Sequence, residues 1–149
     1  YRIAEWADIV NAHIFPGPGV IEGLKEVGMP KGRGLLLMAE MSSEGNLFSA
    51  KETAVALTWA KEHNDFVIGF IAVHTLPDHE GFMVMTPGVS LEATGDALGQ
   101  QYISPKQAIA NGADIIIVGR GIYSVADPAA VAEQYRAAGW NAHKEITSL

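Results

Sequence analysis

Five apolar runs punctuate the chain, at Ala7 to His13, Gly34 to Met41, Asp65 to Val73, Phe82 to Val89 and Asp114 to Ile122, with stretches of helical spacing between them. Strands that alternate with helices build right-handed βαβ units around a parallel sheet. A spacing of about 25 to 30 residues from run to run suits the units of a (β/α)8 barrel or a doubly wound sheet. The last run, DIIIVGRGI, has no polar alternation. It is therefore expected to be a strand buried on both faces, with Gly119 and Arg120 at its carboxyl end, where α/β proteins bind ligands.

The intervening helices carry their own signals. Ser49 or Ala50 to His63 places Thr53, Ala56, Leu57 and Ala60 on one face, as a helix lying on a sheet requires. Asp127 and Pro128 supply a cap and a first helical residue, and Val131, Tyr135 and Ala138 form the inward stripe of a final helix. Shorter helices are expected from Val20 to Val27, after the PGPG turn, and from Ser104 to Ala110, where Pro105 takes a first-turn position.

Composition narrows the class. With 149 residues, 48% of them hydrophobic, the chain can bury one core, so residues 1–149 are expected to belong to a single domain. A closed eight-stranded barrel takes about 250 residues. Five units then leave roughly three unaccounted for, and the first and last strands would expose apolar edges that call for a partner segment. The chain opens on Tyr1, and YRIAEWAD reads as the tail of a helix entering a strand, so a piece of something longer is expected. The absence of cysteine removes disulfides and thiolate metal sites. A formal charge of −7 argues against general nucleic-acid affinity. Nothing reads as a signal peptide or a membrane span, and a cytoplasmic protein is the expectation.

Polar residues gather after the carboxyl ends of the runs: His13, Glu40 with Ser42 and Ser43, His74, Thr86 before Pro87, and Arg120. Glycine lets an oxyanion approach backbone N–H groups and arginine adds a planar fork, so Gly119 and Arg120 read as a phosphate grip. A glycine turn followed by a surface arginine is the plainer alternative. For His13 and Glu40 the plainer reading is a hydrogen-bonded loop group. The string GDALGQQY, Gly95 to Tyr102, offers Gln100, Gln101 and Tyr102 as donors on a cover that could close over a ligand, or it is an ordinary solvated loop. His74, Asp78 and His79 lack the partner motif of a metal site, and none is expected. No P-loop, nucleophile elbow or dinucleotide fingerprint occurs.

Taken together, YRIAEWADIVNAH, RGLLLMAEMSSEGNL, DFVIGFIA, MTPGV, GDALGQQY and DIIIVGRGI resemble, in order, the carboxyl-terminal part of orotidine 5′-phosphate decarboxylase. The resemblance is to the eukaryotic type, which in animals is the decarboxylase domain of UMP synthase. It implies a TIM (β/α)8 barrel, of which this chain covers about strands four to eight and their helices. It further implies a cytoplasmic homodimer that converts orotidine 5′-monophosphate to UMP and CO₂ without cofactor or metal, and that binds neither nucleic acid nor membrane. By position, Ser42 would contact the pyrimidine and the closing loop, and Pro87 would line the base pocket. Gln100, Tyr102, Gly119 and Arg120 would hold the phosphate. The family's catalytic lysine and DxKxxD motif are absent from these residues. No catalytic residue is therefore expected in this chain, which would be inactive until joined by the missing amino-terminal barrel segment. Two other readings stay open: a non-catalytic phosphosugar- or nucleotide-binding half barrel, and a related phosphate-binding barrel enzyme such as a hexulose-phosphate synthase.

Overall fold

The computed structural model describes residues 1–92, 95–97 and 99–148. Its strands are β1 (Ile9–Ala12), β2 (Gly34–Met38), β3 (Val67–Ile71), β4 (Met83–Thr86) and β5 (Ile115–Ile116). Its helices are α1 (Gly19–Gly28), α2 (Ala50–Glu62), α3 (Pro105–Ala110), α4 (Arg120–Tyr123) and α5 (Pro128–Thr147). The strands pair in parallel, as the alternation of runs and helices requires. No helix among the described residues is long and apolar enough to cross a membrane.

The chain divides into two compact units. The first comprises Tyr1–Glu40, Leu47–Ile71 and Pro77–Met83. In it β2 lies between β1 and β3, in register at Ile9 with Gly34 and at Leu36 with Gly69. A strand flanked on both sides and covered on both faces needs apolar residues throughout, and Leu35, Leu36 and Leu37 are all buried. α2 turns Ala56, Leu57 and Ala60 inward, and Thr53 donates from Oγ1 to the Ala39 carbonyl at 2.9 Å. Its start is fixed by a capping box in which Ser49 and Glu52 satisfy each other's backbone N–H groups. Gly69 permits a close approach: a Cβ there would lie 2.0 Å from the Met83 carbonyl oxygen.

The second unit comprises Met41–Asn46, Ala72–Leu76 and the described residues from Val84 onward. β4 and β5 pair at Met85 with Ile115 and at Thr86 with Ile116, and Asp114 locks the entry by accepting from the Val84 N–H at 2.8 Å. Ser104 caps α3 by accepting from Gln107 N–H, and Asp127 caps α5 by accepting from Ala130 N–H. Val89, Ala108, Ala113 and Tyr135 form the buried cluster, with Ile103, Ile116, Val118 and Val131 against it.

Two expectations fail. The connection from β3 to β4, residues 72–82, carries no helix. Pro77, Asp78 at φ +48° and Gly81 at φ +85° break the helical path there. The run after Asp114 is also not a strand buried on both faces. Only Ile115 and Ile116 are extended into the ladder, and Ile115 and Ile117 are 41% and 37% exposed. Ile116 and Val118 pack on the buried cluster while the odd-numbered side chains point away from it. A strand covered by helices on one face alternates, whatever its composition.

Candidate functional site

The site lies within the second unit and begins where β4 ends. Thr86 is buried to 1% exposure, and after it the chain turns through Pro87 and Gly88 at φ +70°. A side chain at Gly88 would be strained by that φ and would also meet Gln100 Nε2 at 2.7 Å and the Gln101 carbonyl oxygen at 2.8 Å. The turn thus brings backbone directly against the glutamine pair. Beyond it, Ile103 N–H donates to the Gly88 carbonyl at 2.9 Å and Ser90 N–H donates to the Ile103 carbonyl at 3.0 Å.

The string Gly95 to Tyr102 is a hydrogen-bonded hairpin; its Leu98 lies outside the described residues. Gly95 bridges Gln101, Asp96 N–H donates to the Gln100 carbonyl at 3.1 Å, and Gly99 N–H donates to the Asp96 carbonyl at 3.2 Å. The outer arm of the hairpin pairs antiparallel with 42–44: Gln101 N–H donates to the Ser42 carbonyl and Glu44 N–H to the Gly99 carbonyl. Side chains repeat that pairing, with Gln100 Nε2 donating to Ser42 Oγ at 2.8 Å.

Arg120, the first residue of α4, reaches across to this hairpin. Its Nη2 donates to the Tyr102 hydroxyl at 2.7 Å and to Asp96 Oδ2 at 2.5 Å, with the guanidinium carbon 5.9 Å from the centre of the Tyr102 ring. The hydrogen bond that Arg120 donates to Asp96, then the nearby Tyr102, raises the guanidinium pKa above its ordinary value, and a guanidinium is a cation throughout the ordinary pH range. Around it opens a cavity of about 480 Å³ lined by Pro87, Gln100, Tyr102, Gly119, Arg120 and Asp96 among others. A permanent cation, a phenol and a carboxamide on one concave wall can hold an oxyanion.

Five of the six residues that the resemblance assigns to the substrate, Pro87, Gln100, Tyr102, Gly119 and Arg120, line that one cavity. Ser42 stands behind Gln100 and lines a second cavity of about 320 Å³ that shares Pro87 and Gly88 and includes His74. His13 and Glu40 belong to the first unit, and the His13 ring packs near Phe15 and Phe48, with centroids 6.0 Å and 5.8 Å away. Among the described residues no three His, Cys, Asp or Glu side chains cluster to hold a metal ion.

Sequence reasoning passed over Asp96, Gly88, Gly121 and Tyr123, which line the same cavity. Asp96 sat within the donor-rich string, but a carboxylate is not what a phosphate site calls for. Gly121 was visible only as one more glycine. A Cβ there would lie 2.4 Å from the Tyr135 hydroxyl, and that hydroxyl accepts from Leu91 N–H at 3.2 Å. Buried Tyr135 therefore props the site from beneath, a role its place in the α5 stripe did not reveal.

A family model described as orotidine 5′-phosphate decarboxylase / HUMPS family matches residues 1–135. The orotidine 5′-phosphate decarboxylase of Schizosaccharomyces pombe is 51% identical over 151 residues, an alignment covering 99% of this chain and 57% of that protein. The uridine 5′-monophosphate synthase of Bos taurus is 52% identical over 144 residues, covering 96% of this chain and 30% of that protein. Among solved structures, the orotidine 5′-monophosphate decarboxylase of Sulfolobus solfataricus superposes with a TM-score of 0.70 at 25% identity, covering 95% of this chain and 65% of that one. The chain thus spans less than two thirds of the length of each of these relatives.

Proposed function

This chain belongs to the orotidine 5′-phosphate decarboxylase / HUMPS family, and from that premise we propose that it supplies the phosphate and base pocket of an orotidine 5′-phosphate decarboxylase. The reaction is the conversion of orotidine 5′-monophosphate to UMP and CO₂ in pyrimidine biosynthesis, without cofactor. On this reading the chain is the carboxyl-terminal portion of a single (β/α)8 barrel domain, covering about strands four to eight, in a cytoplasmic homodimer. The lysine and DxKxxD residues come from a segment outside these 149 residues. The chain by itself is then inactive.

One observation supports the phosphate assignment above all others: Arg120 Nη2 donates to the Tyr102 hydroxyl at the cavity wall that Gln100 and Gly119 complete. Ser42 bonds to Gln100, so the residue assigned to the pyrimidine is tied to the residue assigned to the phosphate. Pro87 and Gly88 border both cavities, which on this reading take the phosphate and the base. In the proposed chemistry, loss of CO₂ leaves a carbanion on the pyrimidine, which the ammonium of the lysine stabilises and protonates. The present residues act at a distance from that carbon. They bind the phosphate, hold the hairpin over it and exclude water, and the binding energy so gained is expressed in the transition state.

Titration with UMP tests this. Arg120→Ala is expected to weaken UMP binding on the order of thirtyfold, because the dianion loses its charged partner, while circular dichroism stays unchanged. A hexose phosphate is expected to bind more weakly than UMP. Equal UMP affinity in the variant and the unaltered chain would overturn the assignment.

A further inference from the structure

We propose that Asp96 is a further residue of the phosphate site: an internal carboxylate that holds Arg120 until a ligand's phosphate replaces it, and that returns to expel the ligand. The inference rests on the phosphate reading above and adds a residue that reading does not use.

The geometry of the guanidinium carries it. An arginine presents two two-pronged faces to an oxyanion, Nε with Nη2 and Nη1 with Nη2, and the nitrogen common to both is Nη2. Here the two Nη2 hydrogens go to Asp96 Oδ2 and to the Tyr102 hydroxyl. Neither two-pronged face is complete while both contacts stand. A phosphate held jointly by Arg120 and Tyr102 therefore has to take the place of one of them. The phenol can turn to serve the same phosphate as a donor; a carboxylate cannot, and two anions on one nitrogen repel. Asp96 is the group that yields.

Asp96 is placed to return. Its other oxygen, Oδ1, accepts from Gln100 N–H at 3.1 Å, and its backbone N–H and carbonyl pair with Gln100 and Gly99. The Asp96 side chain is 18% exposed against 52% for Arg120, so the carboxylate sits inside the cavity wall while the guanidinium leans over it. Rotation of the Asp96 side chain releases Arg120, and Gln100 N–H with it, while the backbone bonds of Asp96 to Gln100 and Gly99 keep the hairpin in place. The hairpin thus carries two of the groups assigned to the phosphate, Gln100 and Tyr102, and also the anion that competes with it.

Asp96→Asn tests the proposal, since the amide oxygen keeps an acceptor for Gln100 N–H and removes the charge. The probes are UMP and inorganic phosphate, titrated calorimetrically into the unaltered chain, Asp96→Asn and Arg120→Ala, with UMP dissociation followed by stopped flow. Asp96→Asn is expected to bind UMP about tenfold more tightly, with the change in the dissociation rate rather than the association rate, and inorganic phosphate is expected to tighten in parallel. Asp96→Ser, which is shorter and uncharged, should move both ligands the same way and guards against a defect peculiar to the amide. Equal or weaker UMP binding by both Asp96 variants would overturn the proposal and make the carboxylate a fixed support for Arg120. If Arg120→Ala leaves UMP binding unchanged, the phosphate reading itself fails, and that outcome is separate from the first. If the unaltered chain binds no UMP, binding gained in Asp96→Asn upholds the proposal and none in either chain sinks it.

Discussion

Arg120 and Gly121 are adjacent, yet the physical reasons for them differ, and the second is a matter of space: a Cβ at Gly121 would lie 2.4 Å from the Tyr135 hydroxyl. Gly121 is not at a positive φ; what it supplies is the absence of a Cβ above the Tyr135 ring. Tyr135 is 4% exposed and its hydroxyl is engaged by Leu91 N–H, so it has little room to move aside. Gly121→Ala should therefore cost about 1–3 kcal/mol of stability through overpacking and loosen the chain leading to the hairpin. Urea unfolding of the single variant and of the Gly121→Ala, Tyr135→Phe pair checks the cause. Removing the hydroxyl takes away the atom in the way, so the alanine should cost less in the phenylalanine background; equal costs in both backgrounds would place the strain elsewhere. The charged and polar residues of the site were legible in the sequence because their chemistry is written in their side chains. Gly121 and Tyr135 were not, because their role exists only once α5 has docked beneath α4. Asp96 was hidden for a third reason: its effect depends on which nitrogen of Arg120 it meets.

At the scale of elements, the helices were readable where their ends are local. Ser49 with Glu52, Ser104 and Asp127 each bind backbone N–H within three residues, and Pro105 and Pro128 preset the first turn, so these ends are locally determined. The capping box of α2 gives a test with a defined sign. Glu52 is held below the usual carboxylate range, chiefly by its hydrogen bond with the Ser49 side chain. A carboxyl whose folded pKa is depressed contributes fully above its unfolded pKa, and that contribution is lost as pH falls through the folded value. Glu52→Gln should lower Tm near neutral pH and flatten its decline in acid, while Ser49→Ala costs about 1 kcal/mol; thermal unfolding from pH 7 to pH 3 reads both. A decline in acid as steep in Glu52→Gln as in the unaltered chain would show that the box adds nothing there. The strands were less readable than the helices. β5 looks like a doubly buried strand by composition, but whether Ile115 and Ile117 are covered depends on what lies against their face, which no local pattern records. The helix-free passage from β3 to β4 had visible breakers in Pro77 and Gly81, and the regular rhythm of the other gaps outweighed them.

For the molecule as a whole, the parallel α/β character follows from the five runs, whereas the reaction does not follow from this chain at all. A candidate phosphate site can be proposed from 149 residues, but a decarboxylation needs an ammonium beside the reacting carbon, and no DxKxxD occurs here. The structure leaves apolar surface on two strands: Ile9 of β1 is 41% exposed, and Ile115 of β5 equally so. Ile117 lines the cavity that Arg120 overlooks. In a closed barrel, side chains of alternate strands fill the interior in layers, and edges are paired. A second segment carrying the lysine and the DxKxxD residues would bury such surface and complete the site in the same act. The chain alone should therefore produce no UMP from orotidine 5′-monophosphate. Mixed with a chain bearing the family's first three strands, it should produce UMP, with CO₂ released in equal amount. Arg120→Ala in the mixture should lower the rate, since the phosphate then contributes less to the transition state. The burial has its own readout: the mixture should unfold at a higher temperature than either part, and more so at higher concentration, because association stabilises by mass action. Turnover by the isolated chain would break this reasoning at its first step. A stable mixed complex without turnover would break it at the last, leaving a nucleotide-binding fold that assembles without performing the reaction.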